Sequence, residues 1–198
     1  NGSLFKVDVS MTLDDLFDMT ARDGEGWGLP HVRRVMALAN RIGVGVPHDA
    51  FALSLAVVLH DWGAFPKYRL SGVDHALRSR QIAETDILPA MDVTPVVRET
   101  ILEAIEKHDY RDPRPTISNE ALLLREADML DLIGVIGMAR EFAWGPNNLD
   151  VCQRRIRARL EGVRGKFTLP QAREIAQVRF ARMEEGLQWM DEESFGIL

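Results

Sequence analysis

Residues 55–63, LAVVLHDWG, place a histidine and an aspartate directly after an apolar run. The run from Leu53 to Leu59 is far shorter than the roughly 20 apolar residues that span a bilayer, so it predicts a buried helix. Helical spacing continues its apolar face to His60. Asp61 therefore follows the end of a buried helix, where a carboxylate needs a counter-charge.

Two further predicted helices carry a histidine at one end of their apolar face. His31 begins a helix whose apolar positions recur at steps of three and four as far as Ile42, and His108 ends another, in line with Ile105. A single histidine of this kind is usually a core residue that is hydrogen-bonded to a carbonyl. Three of them, one followed by an aspartate, indicate a divalent metal ion, because imidazole and carboxylate suit such an ion.

Residues 126–142, EADMLDLIGVIGMAREF, supply further carboxylates. Asp128 and Asp131 lie three residues apart and share a helix face with Leu124. Apolar neighbours on both sides argue against a solvated position for Asp128. Asp131 is more ambiguous, and could orient the site from behind the residues that bind the metal.

Helical periodicity dominates the rest of the chain, with no internal repeat and no alternating strand pattern in the sequence. The pattern predicts one all-α domain. The expected helices cover about residues 31–42, 49–60, 74–88, 95–108, 118–131, 148–161 and 170–191, and a further helical piece reaches Trp144.

Composition narrows the classes of function. A length of 198 residues suffices for one hydrophobic core, and the single cysteine fits a reducing, cytoplasmic location. The formal net charge of -6 argues against nucleic acid and anionic membranes as partners. We expect residues 1–10 to be a cloning remnant or a flexible N-terminus, and residues 11–198 to form the single domain.

The order of His31, then His60 and Asp61, then Asp128 resembles the HD-domain superfamily of metal-dependent phosphohydrolases. Three stretches carry the likeness: HVRRV (31–35), LAVVLHDWG (55–63) and EADMLDLIGVIGMAREF (126–142). The last resembles the D-A-D-x-L-D-x-x-G-x-x-G-x-x-R signature of small bacterial HD hydrolases, some of which are nucleoside-triphosphate pyrophosphohydrolases. Residues 168–183, TLPQAREIAQVRFARM, resemble the terminal helix of that group.

This resemblance implies a single-domain HD helical bundle that binds a divalent metal ion, which could be Mn, Mg, Co, Ni, Zn or Fe. The implied metal ligands are His31, His60, Asp61 and Asp128. His75 and His108 fall where some members of the superfamily bind a second metal, and where members with one metal face the substrate phosphate.

Cationic side chains are expected in the site, because phosphoryl transfer spreads negative charge over the phosphate oxygens. Arg34 is the first choice, since it lies one helical turn from His31, and Lys67 follows in the loop after the His-Asp pair. We assign catalysis to Asp61, Arg34 and Lys67, and substrate binding to Arg34, Lys67 and Arg78. The arginines within residues 154–159 spread around their helix, which predicts a solvated face.

The favoured function is hydrolysis of a small phosphorylated molecule, a phosphate ester or anhydride and above all a nucleotide. One alternative is an HD-domain di-iron oxygenase, although the short gap from His108 to Asp128 favours the hydrolase. The oxygenase would use His31, His60, Asp61, His75, His108 and Asp128. Another is a non-catalytic module that senses a nucleotide, against which the complete ligand set argues. A homo-oligomer is compatible with the sequence.

Overall fold

The computed structural model describes residues 11–145 and 147–197, and within them the elements are helices without any strand. The α-helices are α1 (Leu13–Asp23), α2 (Gly28–Ile42), α3 (Ala50–Leu59), α4 (His75–Ile82), α5 (Pro95–Glu106), α6 (Asn119–Asp131), α7 (Gly134–Trp144), α8 (Leu149–Val163) and α9 (Pro170–Glu193). The prediction of an all-α single domain is confirmed. The prediction for residues 1–10 lies outside the described residues.

Helix α1 is absent from the sequence prediction, although its start carries a readable signal. The hydroxyl of Thr12 accepts a hydrogen bond from the Asp15 amide at 3.2 Å, and the Asp15 carboxylate accepts one from the Thr12 amide at 2.8 Å. This reciprocal pair is a capping box, and the spacing of Thr12 and Asp15 encodes it. Leu16 and Thr20 are buried where α1 packs against α2 and α3.

The helix predicted over residues 74–88 changes its geometry part-way along. It is α-helical from His75 to Ile82, continues as a π-turn over Ala83–Ile87, and ends in a 3₁₀ turn over Leu88–Ala90. Pro89 has no N–H to donate to an α-helical ladder, which accounts for the irregular end. The prediction was therefore right for the first part of this segment only.

Helix α6 is central in the described fold, where it packs against α2, α3, α5 and α9. Its charged residues Glu126, Asp128 and Asp131 are buried with the apolar ones, so each needs a polar partner. Glu126 finds its partners at the start of α9, where it accepts hydrogen bonds from the amides of Thr168 and Leu169. Asp128 and Asp131 instead face α2, which carries His31.

Among the described helices, none is both long enough and apolar enough to cross a membrane.

Candidate metal centre

The helix ends bring the predicted histidines and aspartates together in one cluster. Its members are His31, His60, Asp61, His75, His108 and Asp128. His31 lies in the first turn of α2, His60 follows α3 directly, and His108 follows α5, and each of these three is at most 1% exposed. Such complete burial of three imidazoles beside two carboxylates is explained by mutual contact.

Asp61 lies between two pairs of histidines. Its Oδ2 atom is 3.3 Å from Nε2 of His31 and 3.6 Å from Nε2 of His60. Its Oδ1 atom is 3.6 Å from Nε2 of His75 and 3.6 Å from Nε2 of His108. Each carboxylate oxygen thus faces a different histidine pair, so the same side chain could serve one ion or bridge two.

Asp128 faces the first of these pairs. Its Oδ1 atom is 3.3 Å from Nε2 of His31 and 3.9 Å from Nε2 of His60. The four residues that the resemblance implies as metal ligands therefore meet around the same imidazole nitrogens. His75 and His108 lie on the far side of Asp61, next to this set.

Backbone carbonyls fix which nitrogen of two buried imidazoles carries a proton. Nδ1 of His60 lies 2.8 Å from the carbonyl of Val57, and Nδ1 of His108 lies 2.7 Å from that of Ile105. A carbonyl oxygen can only accept, so Nδ1 is the donor in both rings. In the neutral ring, Nε2 then carries a lone pair that points into the cluster.

Each of these two lone pairs faces a second histidine of the cluster. Nε2 of His60 lies 3.1 Å from Nε2 of His31, and Nε2 of His108 lies 3.2 Å from Nε2 of His75. Two imidazole nitrogens approach this closely only where a proton or a metal ion lies between or beside them. The donor set of imidazoles and carboxylates therefore fits a divalent transition metal ion.

The electrostatics of the cluster favour a positive charge. Burial opposes protonation of His31, but Asp128 and Asp131 outweigh it and raise the His31 pKa well above its ordinary value. Burial lowers the pKa of His60 to about 4. Burial also opposes ionisation of Asp61, yet the surrounding imidazoles hold its pKa well below the ordinary range. A divalent cation would compete with the proton on His31 for these carboxylates.

Asp131 contacts His31 at Nδ1, the ring nitrogen that faces away from the cluster. Its Oδ2 atom accepts a hydrogen bond from Nδ1 of His31 at 2.8 Å, which turns Nε2 towards Asp61 and Asp128. Arg34 donates to both oxygens of Asp131, at 2.7 and 3.0 Å. Burial opposes ionisation of Asp131, but these donors lower its pKa below the ordinary value. The geometry is that of a residue that orients a metal ligand, the role that the sequence left open for Asp131.

The cations that the sequence favoured have partners elsewhere. Arg34 binds Asp131, as described. Nζ of Lys67 lies 2.9 Å from the carboxylate of Asp23, which joins this loop to α1. Arg78 donates to the carbonyl of Tyr68 at 2.8 Å. Within the described residues, a cavity of about 200 Å³ opens beside the cluster, and its lining does not include these three cations.

Three other arginines line this cavity: Arg111, Arg140 and Arg159. Arg140 could have been found in the sequence, because it closes the signature over residues 126–142. Arg159 could not, since its helix shows no single basic stripe, and the prediction of a solvated face is wrong for this residue. Its place at the cavity depends on how α8 packs against α7.

The HD-domain family model matches residues 28–133, which cover more than half of the chain and all six residues of the cluster. The chain belongs to the HD-domain family. No curated protein matches it.

Solved structures with the same fold extend over nearly the whole chain. A predicted HD superfamily hydrolase from an uncultured Thermotogales bacterium is 25% identical, with a TM-score of 0.65 and with 91% of this chain and 90% of that chain covered. An HD-superfamily hydrolase from Bacillus thuringiensis is 22% identical, with a TM-score of 0.64 and coverages of 92% and 96%. YpgQ from Bacillus subtilis, solved in complex with ADP, is 22% identical, with a TM-score of 0.69 and coverages of 91% and 94%.

The family and its fold support a metal-dependent hydrolase as the general class of this HD-domain protein.

Proposed function

We propose that this HD-domain protein is a metal-dependent phosphohydrolase that acts on a phosphate ester or anhydride, with a nucleotide as the favoured substrate. The observation that carries the proposal is the convergence of imidazole nitrogens and buried carboxylates beside a cavity with arginines in its lining. The fold neighbour YpgQ, which was solved with ADP, supports a nucleotide as the ligand.

Under this proposal the metal ligands are His31, His60, Asp61 and Asp128. A divalent cation held there supplies a Lewis acid for the phosphoryl oxygen and lowers the pKa of water. His75 and His108 keep both roles that the sequence left open, contact with the substrate phosphate or with a second ion.

Hydrolysis breaks the bond between phosphorus and the leaving oxygen and forms a bond from phosphorus to the oxygen of water. The water gives up a proton, and the leaving oxygen takes one. His75 is the most exposed histidine of the cluster, at 25%, and it lines the cavity. It is therefore the group best placed to exchange these protons with solvent. Asp61 lies next to His75 and contacts the other histidines of the cluster.

The substrate contacts of Arg34, Lys67 and Arg78 stay predictions. Arg34 acts on the site through Asp131, and the other two are bound to groups outside the cavity lining. Arg140 and Arg159 line the cavity, so the geometry favours them as cations that bind the substrate beside the metal cluster.

Replacement of Asp61 by Ala tests the proposal. We expect the wild type to retain a divalent ion through purification and to release phosphate or pyrophosphate from members of a nucleotide and phosphoester panel. D61A should lose both properties with unchanged helicity in circular dichroism, whereas D18N, at an exposed position in α1, should keep them. Full activity of D61A would refute the metal site. Tight nucleotide binding without turnover for several metals would favour the sensing module instead.

A second candidate function rests on Asp61 Oδ1, which faces His75 and His108 and makes a site for a second ion feasible. With two irons, this arrangement would fit the di-iron oxygenase. Elemental analysis of the wild type separates the candidates: two irons per chain with oxygen consumption would support the oxygenase, and phosphate release with a redox-inert ion would support the hydrolase.

A further inference from the structure

Helices α7 and α8 contribute an arginine each to the cavity beside the metal cluster. Arg140 of α7 and Arg159 of α8 are both in its lining, with side chains 29% and 21% exposed. A guanidinium that is largely withdrawn from water needs a carboxylate partner. Each of these two has one, and in both cases a second arginine shares it.

Arg140 is held by Asp131. Its Nη1 atom donates to Oδ2 of Asp131 at 2.7 Å, and Arg34 binds the same carboxylate. Among the described residues, the hydrogen bonds of Arg140 run through Nη1, so its Nε and Nη2 groups remain available to a ligand. One carboxylate serves two guanidiniums and the imidazole of His31, which leaves positive charge in excess.

Arg159 is held in the same way by Glu141, which is only 3% exposed. Its Nη2 donates to Glu141 Oε2, while Nη1 of Arg155 lies 3.4 Å from Oε1 of the same residue. Arg155 lies over the ring of Trp144 and is not in the cavity lining. Here too, two arginines share one acid, but only Arg159 faces the cavity.

The remaining arginine of the cavity lining, Arg111, is neutralised locally. It donates through Nε and Nη2 to the carboxylate of Asp109, which lines the same cavity.

Apart from Asp61 and Asp128, which belong to the metal cluster, the lining charges that their own acid does not fully offset are therefore those of Arg140 and Arg159. Arg159 also donates through Nη1 to the carbonyl of Gly137 at 3.5 Å, and within the described residues Nε makes no hydrogen bond in either arginine. Positive charge with such an available N–H group matches a phosphate.

The size of the cavity limits what it can hold. Its volume of about 200 Å³ lies below the roughly 300–1,000 Å³ that is usual for small-molecule pockets. A short phosphate chain suits this volume better than a whole nucleotide does.

We propose that Arg140 and Arg159 form a subsite for a second phosphate group, and that the substrate is accordingly a phosphoanhydride with at least two phosphates. This inference rests on the proposed phosphohydrolase function, in which the histidine–aspartate cluster receives the phosphate that water attacks. The arginines bind the neighbouring phosphate, and the sugar and base extend beyond the cavity. The protein then selects diphosphates and triphosphates over monoesters and discriminates weakly among bases.

The test compares the binding of methylenediphosphonate, whose P–C–P bridge resists hydrolysis, with that of methylphosphonate. Isothermal titration calorimetry is carried out on the manganese-loaded full chain. R159Q should weaken binding of the diphosphonate by about ten-fold or more, because charge-assisted hydrogen bonds are lost. Binding of the monophosphonate should change by less than about two-fold, as the metal cluster is intact.

R155Q is the matched control, since Arg155 binds the same Glu141 without lining the cavity. It should leave both affinities unchanged. R140Q should also weaken binding of the diphosphonate, and because Arg140 binds Asp131, the affinity of this variant for manganese is measured alongside. Thermal unfolding of each variant establishes that it is folded. Wild-type diphosphonate affinity in both cavity variants, or an equal loss in R155Q, would overturn the subsite.

The readout also separates this inference from the proposed function. If the wild type hydrolyses no phosphate compound, the phosphohydrolase proposal fails, while selective loss of diphosphonate binding in R159Q still supports the subsite. If the wild type hydrolyses nucleotides but R159Q binds the diphosphonate normally, only the subsite fails.

Discussion

At the scale of single residues, the candidate site depends on hydrogen bonds at Nδ1 of three histidines, whose Nε2 atoms face the metal cluster. The sequence predicted which histidines and aspartates meet, because their order and their apolar neighbours are visible in it. It left open whether Asp131 orients the site and did not predict that His31 is the ring it binds, or that carbonyls fix the rings of His60 and His108. Those contacts depend on side-chain geometry, and the contact of Asp131 with His31 joins residues 100 positions apart.

Substitution of Asp131 by Asn should lower the affinity for manganese by about 10–100-fold, because the partner that orients His31 loses its charge. Competition with a chelator measures this affinity, and D18N serves as the control. An unchanged affinity in D131N would show that Asp131 does not support the site.

At the scale of elements, periodicity predicted most of the helices, and the exceptions have different causes. Helix α1 has an apolar face at Leu13, Leu16 and Phe17 as well as a capping box, so the sequence encodes it although the prediction did not include it. The segment after α4 departs from α-helical geometry at Ala83, which the spacing of apolar residues does not reveal. Arg159 reaches the cavity only because α8 packs against α7.

Removal of the α1 cap by T12A should lower the free energy of unfolding by about 1 kcal/mol, the usual worth of an N-cap. Urea denaturation followed by circular dichroism gives the value. T85A, at an exposed position outside any N-cap, should cost less. Equal losses of unfolding free energy in the two variants would mean that the capping box contributes no more stability than an exposed threonine outside a cap.

Glu103 ties α5 to the start of α6 and should make stability depend on pH. Burial would raise its pKa, but the amides of Ile117 and Ser118 outweigh this and lower the pKa below 4.5. A lowered pKa in the folded state gives stability that is present above the unfolded pKa and is lost as the pH falls through the folded pKa.

We therefore expect E103Q to be less stable than the wild type by about 1 kcal/mol at neutral pH, with a difference that shrinks from about pH 5 to pH 3. Urea titrations at several pH values measure it. A difference that stays constant over this range would show that the charge of Glu103 is unimportant.

At the scale of the whole molecule, the all-α HD fold could be predicted because its motifs appear in a fixed order along the chain. The cavity could not, since its lining comes from separate segments that meet only after the helices pack. The cytoplasmic location and a homo-oligomer remain predictions. What the fold contributes to function is the meeting of buried acids on α6 with imidazoles at the ends of α2, α3 and α5.

The central claim is that this cluster makes the protein a metal-dependent phosphohydrolase. The most direct measurement is the release of phosphate or pyrophosphate from a nucleoside triphosphate by protein stripped with EDTA, as manganese is added back. We expect no release before the addition and a saturable recovery afterwards in the wild type, with no recovery in D61A. Turnover in EDTA, or recovery in D61A equal to that of the wild type, would contradict the account.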